Sequence, residues 1–229
     1  EITNFFLAVT NKKDTNNLIK DGNKRVVEAR LADAKFFWDK DKSKNLIKQI
    51  AKLKDVKFYE GLGSVYDKTQ RLRKLSGMLA DEFNLNKEKA EIAASISKSD
   101  LCSDLVNEYP DLQGLLGKYF ALSQGFEEDV SNAVSDHYLP LGNNSMTSKK
   151  PISYIVAISD KIDTLVGFFL INEKPTSSKD PFALRRSAIG LLRTIIDNKL
   201  NLKLRNLISY NIKLLEEQGV TKSNENSEN

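Results

Sequence analysis

All five prolines of this chain lie beyond residue 109, so nothing in the first half stops a helix outright. The apolar residues then recur at helical spacing. Val27, Leu31, Ala34 and Trp38 fall at i, i+4, i+7 and i+11, one face of a helix, and Leu46, Ile50 and Leu53 continue a similar stripe. Gly22 marks a break, which predicts two or three long helices up to about Lys54. A second block opens near Gly61, with Leu62, Val65, Thr69, Leu72 and Leu79 on one face and Lys68, Arg71, Arg73 and Lys74 mostly turned from it.

Further helices are expected over Lys87 to Val106, Gln113 to Ser123 and Glu127 to Tyr138, with stops at Glu108-Tyr109-Pro110 and at Pro140. Ile155, Ile158, Ile162, Leu165 and Phe169 line the most apolar helix of the chain. Asp180 followed by Pro181 predicts an N-cap with proline at the first helical position, opening a helix over Phe182 to Asp197. A last helix runs from Leu202 to Glu217. Only Phe5 to Val9 reads as a buried strand, followed by the polar loop Thr10 to Asp14. The fold class is mainly α, with a little β at the N-terminus.

Composition narrows the chemistry. One histidine (His137) and one cysteine (Cys102) exclude an internal disulfide framework and any His/Cys zinc cluster. A Ser-His-Asp triad has only His137 to use. The longest apolar run, Leu165 to Ile171, is broken by Gly167 and falls far short of the roughly 20 residues of a membrane span. The expectation is a soluble, cytoplasmic protein. The start at Glu1-Ile2-Thr3 reads as the cut end of a longer chain, and the polar residues at the other end read as a frayed tail.

Few residues remain to carry chemistry. Gly61-x-Gly63 lacks a third glycine and a following Gly-Lys-Ser/Thr, so a helix-start turn is the better reading than a phosphate loop. Cys102 reads as a small buried side chain. His137, at a helix end where an imidazolium suits the dipole, reads as a capping or packing residue. Asp160 and Asp163 beside the apolar helix are either ion-paired or metal ligands, and Asp100 shares that ambiguity. Lys174, Lys179, Arg185 and Arg186 surround Pro175-Thr176-Ser177-Ser178 and the start of a helix. Such a loop can meet a phosphodiester backbone. Its alternative is a solvated loop with Arg185 or Arg186 paired to Asp160 or Asp163.

Several blocks then match one family. Gly22 to Phe37 resembles the GNxRVLxARLxDAxFF stretch of bacterial glycyl-tRNA synthetase beta subunits, and Leu62 to Lys68 resembles their LGSLYDK. Glu108 to Gly114 is similar to EFPELQG, His137 to Pro140 to HYLP, and Asp160 to Phe169 to DKLDTLVGFF. Lys174 to Arg186 resembles KPTGSKDPFALRR, with Ser177 in place of glycine. The blocks keep family order and cover nearly everything from residue 5 to 205.

The resemblance implies a middle piece of the beta subunit. Residues 1–54 would be the end of its body region, residues 55–218 a multi-helix HD-like domain and residues 219–229 a disordered tail. It implies an alpha2beta2 heterotetramer in which the alpha subunit carries the ATP, magnesium and glycine chemistry while the beta subunit holds tRNA(Gly). No catalytic residue and no cofactor are then expected here, and Lys174, Lys179, Arg185 and Arg186 become the tRNA-contacting candidates, with Arg30 and Lys35 behind them. HD phosphohydrolases hold a divalent metal with two histidines and two aspartates. The corresponding positions fall near Tyr59, Ser99, Asp100 and Asp160, so both histidines are missing, and His137 falls outside the pattern. The implied domain keeps a scaffold without its metal. Its alternatives are an HD-type hydrolase working through Asp100 and Asp160, and a purely structural subunit-contact module.

Overall fold

A computed structural model describes residues 5–142 and 144–221. The chain divides into two compact units that part between Ser43 and Lys44.

The first unit is dominated by α1 (Leu18–Asp41), whose first turn is held by the Asp14 carboxylate accepting from the amides of Ile19 (2.8 Å) and Lys20 (3.1 Å). Gly22 does not break it: the helix runs straight through as one continuous helix where a break was expected. Residues 5–9 form no strand. The one sheet of the described residues lies elsewhere, and Phe5, Leu7 and Val9 are exposed instead of buried. Leu18, Val26, Leu31 and Phe36 of α1 are exposed as well.

The second unit begins with α2 (Leu46–Ile50) and a 3₁₀ turn over Ala51–Asp55. A small antiparallel pair follows, β1 (Lys57–Tyr59) with β2 (Gly63–Ser64). Gly63 sits at φ +80°, where a Cβ would lie 2.7 Å from an Asp67 carboxylate oxygen. That close approach admits the capping box of α3 (Val65–Glu82), in which the Ser64 hydroxyl and the Asp67 carboxylate satisfy each other's backbone amides. The glycine pair therefore serves a helix start, as its spacing suggests.

Next come α4 (Lys87–Ile96), α5 (Asp104–Glu108), α6 (Leu115–Ser123), α7 (Glu128–Asp136), α8 (Pro151–Leu170), α9 (Leu184–Asp197) and α10 (Leu204–Glu217). The described residues are mainly α, as expected. Lys87 to Val106 is not one helix, because serines take the backbone for themselves. Ser97 donates to the Ala94 carbonyl and Ser103 to that of Asp100, and Ser103 caps α5 by accepting from Val106. The kink holds Ser99, Asp100 and Cys102 in a 3₁₀ turn, with Cys102 only half-buried. At α9 the helix starts two residues late, with Ala183 at φ +53° before it. Asp180 still accepts from Leu184 and Arg185, at 2.8 and 2.9 Å.

α8 is apolar around most of its circumference, and such a helix must be central. It packs against α3, α4, α7, α9 and α10, with Ile155, Ile158 and Ile162 fully or nearly buried. α3 packs against α4, burying Leu72, Leu75 and Leu79 on one helix and the small Ala90, Ala93 and Ala94 on the other. The chain is still in the core at Val220, which is buried just past α10, so the expected tail cannot begin at 219. Residues 222–229 lie outside the described residues. No helix among the described residues is long and apolar enough to cross a membrane.

Candidate functional site

Two assemblies of charged residues stand out, one buried and one exposed. The buried one is built where α3, α8 and the kink after α4 converge. Lys68 and Arg71, expected on the solvent side of α3, point inward instead. Lys68 Nζ lies 3.2 Å from Asp163 Oδ2 and 3.2 Å from Asp160 Oδ1, and it donates to the Thr164 hydroxyl at 2.8 Å. The Asp160 contact is close enough to pair the charges without being aligned as a hydrogen bond. Arg71 grips Asp163 at two points, Nε to Oδ1 at 2.6 Å and Nη2 to Oδ2 at 3.1 Å, and its Nη1 donates to Gln218.

Lys98, leaving the end of α4, reaches Asp160 at 3.5 Å and lies 4.0 Å over the ring of Tyr138. Lys161 donates to the carbonyls of Leu139 (2.6 Å) and His137 (3.2 Å). Burial alone would raise the Asp160 carboxyl; the ammonium groups of Lys68, Lys98 and Lys161 overcome it and hold the group well below the usual carboxylate range. Burial pushes Lys161 down to about 8, against the opposing pull of Asp160.

His137 borders this cluster, its carbonyl accepting from Lys161. It does end α7, but its ring is fully buried against Tyr138, at 3.9 Å between centroids. Burial, with Lys98 adding to it, lowers the imidazole pKa well below its ordinary value, so the ring is neutral and no imidazolium serves the helix dipole. Nδ1 donates to the Val134 carbonyl at 2.8 Å, while Nε2 has no partner among the described residues.

The positions implied for metal ligands do not assemble. Tyr59 packs its ring against the stacked pair Phe168 and Phe182 and donates its hydroxyl to Glu173. Phe168 is eight residues along α8 from Asp160, about 12 Å at the helical rise. Ser99 is buried with its hydroxyl unpartnered among the described residues. Asp100 spends Oδ2 on the amides of Gly114 (2.5 Å) and Gly117 (3.3 Å), and burial raises its carboxyl. A Cβ at Gly117 would come within 2.9 Å of that oxygen. Among the described residues no three His, Cys, Asp or Glu side chains converge as a metal set. Asp160 already faces two ammonium groups, which would repel a divalent cation. The donor set does not fit a metal.

The spacing of Lys68 and Arg71 carried the missed signal. Lys68 falls within the arc of Val65, Thr69, Leu72, Leu75 and Leu79 and Arg71 just beyond its Leu75 edge, and a cation inside or bordering an apolar stripe reads as one half of a buried pair.

The exposed assembly is the loop ahead of α9. Thr176 accepts the Lys179 amide on its hydroxyl and donates its own amide to the Lys179 carbonyl, closing a tight turn. Arg185 donates from its guanidinium to the Thr176 carbonyl and so ties the turn to the helix. Ser177 is not among the residues with positive φ, so the turn needs no glycine there. Lys174, Lys179, Arg185 and Arg186 are all exposed along this segment. Neither arginine pairs with Asp160 or Asp163, which Lys68, Arg71 and Lys98 have taken. Arg30 and Lys35 lie on α1 in the other unit, where Lys35 is paired with Asp39 at 2.6 Å.

Fold and charge together define a mainly α module that carries ion pairs at its centre and a basic loop at its surface. The family model described as glycyl-tRNA synthetase beta subunit matches residues 1–228, and the chain belongs to that family. It is 40% identical over 209 residues to the glycine–tRNA ligase beta subunit of Janthinobacterium sp. (strain Marseille), 91% of this chain and 30% of that protein. The beta subunits of Phenylobacterium zucineum and Colwellia psychrerythraea are 43% and 44% identical, over 89% and 93% of this chain and 31% of each relative. The chain thus spans less than a third of the length of these relatives.

Proposed function

We propose that this chain is the helical, tRNA-contacting middle of a glycine–tRNA ligase beta subunit, and that it positions tRNA(Gly) for ATP-dependent attachment of glycine in the alpha subunit of an alpha2beta2 enzyme. The observation that carries the reading is the basic turn from Lys174 to Arg186. Four cations project to solvent from a segment fixed by the Thr176–Lys179 turn, the Arg185 tether and the Asp180 cap. Guanidinium and ammonium groups held this way suit phosphate oxygens, which fix the position of a nucleic acid without reading its sequence. Residues 55–218 are, in this reading, an HD-like scaffold whose metal has given way to lysine, and no reacting group lies in the chain.

Because Arg185 also holds its own loop, the cleaner test pairs Lys179→Glu with Arg186→Glu in the complete enzyme. The doubly reversed enzyme binds tRNA(Gly) more weakly, and its affinity falls less steeply with salt, by about 1.5 to 2 in the log–log slope for two lost phosphate contacts. Unchanged affinity and slope in a normally folded enzyme would remove the loop from the tRNA surface. A phosphohydrolase working through Asp100 and Asp160 is disfavoured by the lysines that already neutralise Asp160.

A further inference from the structure

A groove of about 540 Å³ opens between α8, α9 and α10, with Pro175 and Arg185 of the basic segment among its lining residues. Ile162 and Phe169 of α8 form its floor and one end, Leu184 and Leu191 of α9 one wall, and Leu204 and Ile208 of α10 the other. Arg185 at the rim is the one charged residue among those that line it. Phe169 and Ile208 remain 49% and 38% exposed, and the apolar surface continues over the outer side of α9 through Ile189, Leu192 and Ile196. A contiguous apolar surface of this kind, rimmed by charge, marks a binding face.

We propose that the groove receives an amphipathic helix from the part of the same beta-subunit polypeptide that lies outside residues 1–229. Three observations favour that occupant. The relatives are more than three times as long as the stretch matched here, so most of the subunit's chain is available to cover the face. A tethered segment acts at an effective concentration in the millimolar range, well above what a free partner reaches, so it saturates an apolar groove first. The walls carry residues at helical repeat, Leu184 with Leu191 and Leu204 with Ile208, which presents ridges to the i, i+3, i+4 and i+7 side chains of a docking helix. The inference rests on family membership and is independent of the tRNA reading.

Thiol labelling reads the face directly. In a Cys102→Ser background, Ile208→Cys is placed in the groove and Leu192→Cys on the outer side of α9, both at partly exposed positions that tolerate the change. Each is carried by the 1–229 chain and by the complete beta subunit, with and without the alpha subunit, and maleimide rates are compared. The expected result is labelling of Ile208→Cys at least tenfold slower in the complete beta subunit alone than in the 1–229 chain, independent of protein concentration. Equal rates in both would overturn the proposal. So would protection that appears only on adding the alpha subunit, which makes the occupant a partner in trans, or protection of the 1–229 chain that grows with its concentration, which makes it a second copy.

Discussion

Arg71 and Asp163 form a two-point ion pair in the middle of the core, at 2.6 and 3.1 Å, with side chains 1% and 0% exposed. Lys68 shares the same carboxylate, so one aspartate on α8 answers two cations on α3. Replacing it by Asn strands Arg71 without a counter-charge where water cannot reach. Asp163→Asn is expected to lose about 3–5 kcal/mol of unfolding free energy by urea titration. The paired change Arg71→Met with Asp163→Leu should recover much of that loss, because Lys68 keeps Asp160 and Thr164. A double variant no more stable than Asp163→Asn would show that the pair does more than cancel itself.

His137 is the only histidine, so its protonation is separable from everything else. Its folded pKa is depressed by burial, and the unfolded chain therefore binds a proton that the native state refuses. Stability contributed this way is present above the unfolded pKa near 6.5 and is lost as pH drops below it. Asp160, held low by its lysines, adds loss of the same sign below about pH 4, whereas the raised carboxyl of Asp100 acts in the opposite sense. Comparing the parent with His137→Asn, which keeps a donor for Val134, isolates the imidazole. The expected difference is a flatter stability profile between pH 7 and 5 in the variant. In the parent, the imidazole resonances should titrate below the ordinary histidine range while the protein stays folded.

What the sequence made legible, and what it hid, follows from how far each signal reaches. The stripe from Val65 to Leu79 is local, and α3 follows it closely because capping, periodicity and burial agree. The segment Phe5 to Val9 has the residues of a strand, yet strand formation depends on a second strand distant in sequence, which a local pattern does not reveal. The kink at Ser97–Ser103 was hidden because competition between hydroxyls and the helix ladder is decided by a few hydrogen bonds. The basic loop was readable as charge but not as a fixed turn. The buried cluster was least legible, since Lys68, Lys98 and His137 meet Asp160 from separate parts of the chain.

Asp100 owes its setting to two glycines. A Cβ at Gly117 would sit 2.7 Å from Val134 Cγ1 and 2.9 Å from Asp100 Oδ2, so Gly117→Ala must push α6 from α7 or expel the carboxylate. Overpacking of this kind costs typically about 1–3 kcal/mol. Thermal unfolding is expected to show the loss. Ala at Gly22, where nothing lies within 4 Å, provides the control and should hold or slightly raise the melting temperature.

Asp180 links the fold to the proposed tRNA surface. Its carboxylate accepts from Leu184 and Arg185, and although partial burial raises its pKa, those amides and the nearby guanidinium groups leave it below the ordinary value. Proton loss is thus favoured in the folded state, and the cap is in place above about pH 4 and weakens as pH falls further. Asp180→Ala removes the cap without touching any of the four cations. The first turn of α9 should then fray, and hydrogen exchange at the Leu184 and Arg185 amides should speed up while the α8 core stays protected. If the loop works by being fixed, tRNA(Gly) affinity drops in this variant while its salt slope stays at the parent's value, since no phosphate contact has been removed. Asp180→Asn, which preserves one acceptor, should lie between the two. Faster exchange with unchanged affinity would mean that the charges act without the turn that presents them.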